Sequence, residues 1–310
     1  MSKLNFWNVE QKIWVYKMSI RPSKFDEIIG QERVKTVCET LYKSAKIRDA
    51  AVPHILYSGV SGSGKTTVEL AMANEVGVKL IKANGGIIKS LADLQPYISM
   101  LNRKDILFID EVHRVPIKVC ESMYTIMEDF RYETLTKRGP KSESIPEFTL
   151  IGATTDLGSM PKPLKDRFKF TAEFEQYSLD ELTEISMSVA HGYSFKMNKI
   201  VAKKIAKTCR SNPRHVVSRT EWIRDYFLAN GLKRIKSNEL MKVIQMQGFD
   251  EEGLTPTDHR YLQVVLNDGP VGLSSISSKI NVHPLTIVND IEPFLLQKGM
   301  IKITTAGREI

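Results

Sequence analysis

At 310 residues the chain is long enough for two or three domains, each with its own core. Its 42% hydrophobic and 26% charged residues exclude a disordered or fibrous chain, and no apolar run reaches membrane-spanning length. The excess of 44 basic over 36 acidic residues gives a formal charge of +8 and a pI near 9.2, which suits a polyanionic partner such as nucleic acid. Cys38, Cys120 and Cys209 lie far apart and offer neither metal spacing nor a disulfide framework. With no apolar signal segment at the N-terminus, the expected home is the reducing cytoplasm, a host's if the chain is phage-encoded.

Residues 1–20 carry Phe6, Trp7, Trp14 and Tyr16 among polar residues and read as an extension. It would either pack its aromatics on the body or serve as a docking arm. Beyond Arg21-Pro22, Gly30 and Gln31 open a helix whose apolar face includes Val34, Val37 and Leu41. From Pro53 to Phe174 short apolar runs alternate with amphipathic segments. The runs are Ile55-Leu56-Tyr57, Leu80-Ile81, Ile106 to Ile109, and Phe148 to Ile151, with helices predicted over about 64–76, 90–101 and 116–128. Such alternation specifies a parallel sheet covered by helices on both faces, an α/β domain over 21–176. One stretch interrupts it. Arg131 to Ser144 alternates with period two but is too polar for a core strand, so 131–146 is expected to be a β-hairpin turning at Gly139-Pro140. From Leu179 to Gln247 only helical periodicity remains, broken near Gly192 and at Asn212-Pro213, which makes 177–250 a small helical domain. Gly248 to Gly253 reads as a linker. Helices predicted over about 257–267, 273–280 and 284–297, then an apolar strand at Met300 to Ile303 and a loop ending at Arg308, outline a winged helix over 251–310.

The chemistry starts at Gly59-Val60-Ser61-Gly62-Ser63-Gly64-Lys65-Thr66. It has the spacing of a phosphate-binding loop and stands between a strand and a helix, as that motif requires. The glycines let backbone N–H groups point at phosphate oxygens, and the helix N-terminus adds positive partial charge. Lys65 would reach the β- and γ-phosphates of ATP, and the Thr66 hydroxyl would hold Mg²⁺. The strand Ile106 to Ile109 ends in Asp110-Glu111. Asp110 is placed to be the second Mg²⁺ ligand, and Glu111 to polarise the water that attacks the γ-phosphate. Thr154-Thr155 ends the next strand, where hydroxyls could bond phosphate or simply favour a β conformation. Arg167 and Arg214 stand by helix ends and, from sequence pattern alone, could be solvated or salt-bridged.

These stretches together resemble the AAA+ ATPases, P-loop NTPases with a helical lid, and within them the RuvB branch-migration motors. The resemblance runs over about residues 21–310. It rests on Arg21-Pro22 with Ile29-Gly30-Gln31, Gly59 to Thr67, Leu107 to Arg114, Met127-Glu-Asp-Phe130, Phe148 to Thr155, Pro163 to Phe168, Asn212-Pro-Arg214, Gly269-Pro-Val-Gly-Leu273 and Glu292 to Gly299. It implies that Gly59, Gly62, Gly64, Lys65, Thr66 and Thr67 bind nucleotide, that Thr66 and Asp110 bind metal, and that Glu111 is the base. Thr155 would be the first sensor and Arg214 the second. Arg167 would be an arginine finger acting on ATP held by a neighbouring subunit, which implies a closed ring, a hexamer by family analogy. Arg21, Ile28, Ile29 and Tyr177 fall where the family binds the nucleotide base, although Ile28 and Ile29 read equally well as core. Arg308 falls where the winged helix contacts DNA. ATP and Mg²⁺ are the implied cofactors, and branched or duplex DNA the implied partner.

The chain departs from that pattern at several points. Lys165 stands where the family has arginine, and Val60-Ser61 where it is proline-rich. Ala306 replaces a second arginine in the wing. The hairpin tip Thr134-Leu135-Thr136-Lys137-Arg138 is polar where the family docks an apolar tip onto its junction-binding partner RuvA, so a RuvA-like partner is not a given. Such divergence suits a phage or mobile-element relative. A second class remains open, an AAA+ clamp or helicase loader that hydrolyses ATP without displacing strands. Loaders usually carry a helical collar where this chain reads as a winged helix. A promoter-binding nucleotide switch is a third class, and Glu111 and Arg167 argue against it.

Overall fold

Five short apolar runs form one parallel sheet in the computed structural model, which describes residues 21–136, 139–232 and 237–310. The expectations for residues 1–20 and for the hairpin tip, including Lys137 and Arg138, lie outside the described residues. The chain divides into two compact units, the boundary falling between Tyr177 and Ser178.

In the first unit, helix α1 (Glu32–Arg48) precedes β1 (Ile55–Ser58), α2 (Lys65–Val76), β2 (Leu80–Asn84), α3 (Leu91–Ser99), β3 (Ile106–Asp110) and α4 (Ile117–Asp129). The ribbon β4 (Arg131–Thr136) and β5 (Gly139–Ser144) follows. Then come β6 (Thr149–Thr154), the short α5 (Lys162–Lys165) and β7 (Phe170–Glu173). The sheet order is β2-β3-β6-β1-β7, with Ile55 opposite Ile151 and Phe170, and Ile106 opposite Leu80 and Thr149. Strand residues alternate between faces. Ile106 and Phe108 therefore join Ile55 and Tyr57 in a core under α1 and α2, while Leu107 and Ile109 join Leu56 in a core under α3 and α4. Both faces being covered, the central strands carry no polar alternation, which is why they read as continuous apolar runs.

Two local differences from the sequence pattern have physical reasons. The strand Phe170–Glu173 went unannounced because its four residues, at the sheet edge, include a single fully buried apolar side chain, Ala172. Gly139 and Pro140 do not form the hairpin turn; they pair within β5, opposite Thr136 and Leu135. A two-stranded ribbon leaves alternate N–H groups facing outward, so proline's missing donor is tolerated there. His54, just before β1, is held from two sides: its Nδ1 accepts the Leu150 N–H at 2.8 Å and its Nε2 lies 3.0 Å from the Met127 carbonyl. That pairing makes it the neutral Nε2–H tautomer, and burial lowers its pKa.

The second unit begins with α6 (Leu179–Gly192), whose N-cap Ser178 exchanges hydrogen bonds with Glu181 in a capping box. It continues through α7 (Lys199–Lys207), α8 (Pro213–Ala229) and α9 (Ser237–Met246). A winged helix follows, built from α10 (Pro256–Asp268), α11 (Leu273–Ile280), a helical stretch from Pro284 ending in α12 (Glu292–Gln297), and the ribbon β8 (Lys302–Thr304) and β9 (Gly307–Glu309). The stretch from Pro284 passes through a π-turn at Ile287–Ile291, because Pro293 removes a donor from the helical ladder. Residues 248–253 are not a loose linker. Asp250 accepts the Glu252 and Leu254 N–H groups at 2.8 and 2.9 Å, and Gly253 lies so close to Thr208 that an added Cβ would be 2.9 Å from its backbone.

An acid is buried on the helix that follows the phosphate loop. Glu69 on α2 is fully buried, pairs with the half-exposed Lys82 of β2, and leaves its Oε2 without a partner. Desolvation raises its pKa from 4.5 to about 7, with Lys82 pulling the other way. An acid raised in the folded state loses stability as pH climbs. The loss begins above 4.5 and is complete above about 7, amounting to about 3 kcal/mol at roughly 1.4 kcal/mol per unit. Glu69→Gln removes that dependence. Thermal melts should show the variant gaining on the wild type between pH 5 and pH 8; a difference that stays flat across that range would contradict the buried-acid assignment.

Candidate active site

Between β1 and α2 the chain turns through Gly59, Gly62 and Gly64, at φ of 154°, 82° and 97°. The Gly59 N–H donates to the Thr154 carbonyl at 3.2 Å, extending the pairing of β1 with β6 past the strand end. Two of the glycines are also demanded by close approach. A Cβ on Gly59 would sit 2.8 Å from the Phe174 Cβ, and one on Gly64 would sit 2.9 Å from the Tyr177 hydroxyl. The segment after β7 thus closes over the loop. The buried Lys65 ammonium donates to the Gly59 and Val60 carbonyls at 2.6 and 2.9 Å, with Ser63 Oγ 3.5 Å away. Thr66 and Thr67 are half-buried on the first turn of α2. A loop of positive-φ glycines leading into a helix N-terminus presents N–H donors and a positive dipole end, the chemistry an anion requires.

Asp110 ends β3 opposite Asn84, and its Oδ1 accepts the Glu111 N–H at 3.0 Å. Glu111 itself has left-handed backbone, φ 52°, uncommon for a residue with a side chain and a frequent mark of a functional position. Two neighbours hold its carboxylate. Thr155 Oγ1 donates to Glu111 Oε2 at 3.4 Å, and His113 Nε2 lies 3.3 Å from the same oxygen. His113 Nδ1 lies 2.9 Å from the buried Thr154 hydroxyl, which also accepts the Asp156 N–H at 3.0 Å. The two threonines therefore take different jobs: Thr155 touches the acid directly and Thr154 steadies the imidazole that touches it. His113 escaped the sequence reading, since a histidine three residues past a strand end carries no spacing signal, and Thr154 was legible there only as a strand-end hydroxyl. Gly85 escaped it too. A Cβ there would lie 2.4 Å from the Glu111 carbonyl oxygen, so the loop after β2 presses on the backbone of the acid.

Arg167 follows α5. Its Nη1 donates to the Pro163 carbonyl at 2.8 Å, its Nη2 to Glu128 at 3.1 Å, and its guanidinium lies 4.2 Å above the Tyr124 ring. Its Nε is buried without a partner. Tyr124 and Glu128 sit one helical turn apart on α4, a spacing that makes one face but that is common to most helices. Lys165, at the position where the resembling family has arginine, donates to the Leu157 carbonyl at 3.4 Å.

The other base-site expectations separate. Ile28 is core, packed with Phe25 and Val34, whereas Ile29 is half-buried and Arg21 exposed. Tyr177 is buried over Gly64. Gln31, read from sequence only as a helix start, joins the two segments. Its side-chain amide donates to the Glu175 carbonyl at 2.8 Å and accepts the Glu175 N–H at 3.1 Å, as a strand neighbour would.

In the second unit Arg214 is exposed on the first turn of α8, its N–H donating to the capping Asn212 side chain at 3.0 Å. Arg308 is turned inward. Its Nε donates to the buried Glu292 at 2.8 Å, the Tyr261 hydroxyl donates to the same oxygen at 3.0 Å, and 16% of the Arg308 side chain stays exposed. The three cysteines are free and buried, and burial raises each thiol to about 11, so none is a ready nucleophile. Among the described residues no helix is long and apolar enough to cross a membrane.

With the site in place, known proteins give it a context. Residues 20–174 match the family described as the Holliday junction DNA helicase RuvB P-loop domain, and residues 251–310 match the RuvB C-terminal winged helix domain. The Holliday junction branch migration complex subunit RuvB of Streptococcus agalactiae is 37% identical over 297 residues, covering 94% of this chain and 90% of that protein. Its counterpart in Staphylococcus haemolyticus is 36% identical over 301 residues, covering 95% and 91%. Among solved structures, the Thermotoga maritima RuvB Holliday junction branch migration motor superposes with a TM-score of 0.81 at 32% identity, covering 94% of this chain and 95% of that one. The likeness spans phosphate loop, helical segment and winged helix alike, and the chain belongs to the RuvB family.

Proposed function

We propose that the chain is an ATP-driven DNA motor that assembles as a ring and migrates branched DNA junctions in recombination and repair. The observation that carries the proposal is the Glu111 carboxylate, fixed by Thr155 and His113 at the same sheet edge as the phosphate loop. A regulator that only binds nucleotide has no need of a carboxylate so held. A clamp or helicase loader is not favoured either, because residues 251–310 match a winged helix domain where loaders usually carry a helical collar.

The phosphates of ATP lie across the N–H groups of Gly62 to Thr66, with the Lys65 ammonium neutralising the β- and γ-oxygens. Tyr177 and the segment through Ile29, joined by Gln31, flank the base. Magnesium takes oxygen ligands and is commonly held by one or two protein groups, a donor set that the Thr66 hydroxyl and the Asp110 carboxylate supply. Once bound, it would draw charge from the transferring phosphoryl group. Glu111 accepts hydrogen from the attacking water, and Thr155 and His113 keep its carboxylate aimed as the proton moves. Arg167, lying against Glu128 and Tyr124 of its own chain, acts on ATP held by the next subunit, which makes a closed ring, a hexamer, the working form. Arg214 reads the γ-phosphate from the helical segment.

For the winged helix, the inward turn of Arg308 gives it the job of fixing β9 on Glu292 as well as lending its exposed fraction to DNA. Lys302 on β8 keeps 65% of its side chain exposed, with its ammonium 3.6 Å from a Glu309 carboxylate oxygen. Apart from Tyr132, Leu135, Gly139 and Pro140 the described hairpin strands are polar, so docking to a RuvA-like partner through them would rest mainly on polar contacts.

Two variants test the site. Glu111→Gln should lower ATP turnover by about 10²–10⁴ while leaving nucleotide affinity nearly unchanged, because the amide keeps the Thr155 contact and loses only the base. Measuring turnover and affinity separately decides it; a variant retaining a tenth of wild-type turnover would remove Glu111 from the chemistry. Arg167→Ala should cost about 10³–10⁵ in hydrolysis with ATP still bound. Adding a Lys65→Ala subunit that keeps its own Arg167 should restore part of the activity in mixed rings. No recovery on mixing would speak against a finger acting between subunits. The motor itself is tested by incubating the purified protein with ATP and a four-way junction, where strand exchange supports the reading and ATP hydrolysis without it returns the chain to the loader class.

A further inference from the structure

The second unit holds a connection that the site chemistry does not use. Four residues before Arg214, Arg210 opens a turn in which Arg210 and Ser211 both have left-handed backbone, φ 52° each, although neither is glycine. Residues with side chains adopt two such conformations in succession only when their surroundings hold them. What holds Arg210 is the winged helix. Its Nη2 pairs with the fully buried carboxylate of Asp258 on α10, its Nη1 donates to the Asp290 carbonyl at 3.0 Å, and its Nε reaches the Gly253 carbonyl at 3.3 Å. The guanidinium lies 4.7 Å from the centre of the Phe294 ring on α12. Ser211 adds a contact, its Oγ accepting from Gln297 Nε2 at 2.8 Å. On the other side of the turn, Asn212 caps α8 and Pro213 fixes its first residue, so Arg214 leaves the turn in a set direction.

We infer that Arg210 is the positioning residue that couples nucleotide state to the winged helix. The inference rests on the proposed reading of Arg214 as a γ-phosphate sensor and of the winged helix as the DNA-binding module. A pull on Arg214 moves the start of α8. The turn has no slack to absorb the motion, because its strained backbone is pinned by one guanidinium to three separate pieces of the winged helix. Asp258 ties that pin to the helix start, since its Oδ2 also accepts the Thr255 N–H and hydroxyl at 2.6 and 2.7 Å in the cap of α10. The planar fork of arginine is what lets one side chain bond Asp258, the Asp290 carbonyl and the Gly253 carbonyl while lying on Phe294. Lysine is a single point charge and cannot do so.

The test compares wild type, Arg210→Ala and Arg210→Lys as full-length protein. Three quantities are read: ATP turnover without DNA, its stimulation by a four-way junction, and the ratio of junction Kd with ADP to that with a non-hydrolysable ATP analogue. Both variants should keep unstimulated turnover within about twofold of wild type, because no residue around the phosphate loop is altered. The stimulation should fall towards onefold and the Kd ratio towards one, completely in Arg210→Ala and largely in Arg210→Lys, while junction binding itself persists. If the alanine variant loses its winged helix through the unpaired Asp258, the lysine variant, which keeps a charge beside that carboxylate, decides the matter. A folded Arg210→Lys with wild-type stimulation and Kd ratio overturns the coupling. So does loss of junction binding in every nucleotide state, which would make Arg210 scaffold alone. A wild type showing no stimulation and a Kd ratio of one would bring down the motor reading and the coupling together, before any variant is compared.

Discussion

All five strands of the sheet run the same way, so the C-terminal ends of β1, β3 and β6 meet along one edge, where Gly59, Asp110 and Thr154 stand. The pairing of β1 with β6 sets Ser58 beside Thr154, and the Gly59 N–H continues that ladder onto the Thr154 carbonyl. From this one register the phosphate loop gains a fixed base. The same strand end supplies Thr154 to His113 and Thr155 to Glu111. A slip of one residue between β1 and β6 would invert every side chain on the slipped strand, burying what must face the nucleotide. The close-packed cores above and below the sheet prevent that slip, so packing and chemistry are one constraint at this edge.

Much of this could be read from the residues. The phosphate loop, Asp110-Glu111 and the strand-helix alternation are encoded by local spacing, and the sheet, the helices α2 to α4 and the winged-helix elements fall close to where periodicity places them. What escaped was set by approach in three dimensions. Gly85 looks like any loop glycine until the Glu111 backbone is found against it, and Gln31 looks like a helix start until its amide is found bridging to Glu175. His113 needed the buried Thr154 hydroxyl to give it a role. Arg308 gained a structural partner that could not be foreseen, because nothing in the linear sequence shows that Glu292, on a different element, is buried beneath it.

That inward turn has an electrostatic logic. A carboxylate buried as deeply as Glu292 needs a partner, and a hydrogen-bonded arginine is the one least costly to desolvate. With Tyr261 donating to the same carboxylate, α10, α12 and β9 are tied at one point, and Val271 adds the backbone bridge to Arg308. Arg308 and Glu292 cancel one another as a unit, so the net charge of +8 is carried by other residues.

Arg167 is held by side chains of its own chain. Glu128 and Tyr124 hold the Arg167 guanidinium from α4, and that helix ends one residue beyond Glu128, where Phe130 takes left-handed backbone and β4 begins. The Ile145 N–H returns to the Phe130 carbonyl at 2.7 Å, closing the base of the hairpin. Glu128, which accepts from Arg167, and Phe130, which closes the hairpin base, thus lie two residues apart at the same helix end. The closed base and the helix behind it are packed by the core under α4, where Met127, Tyr132 and Ile145 sit together.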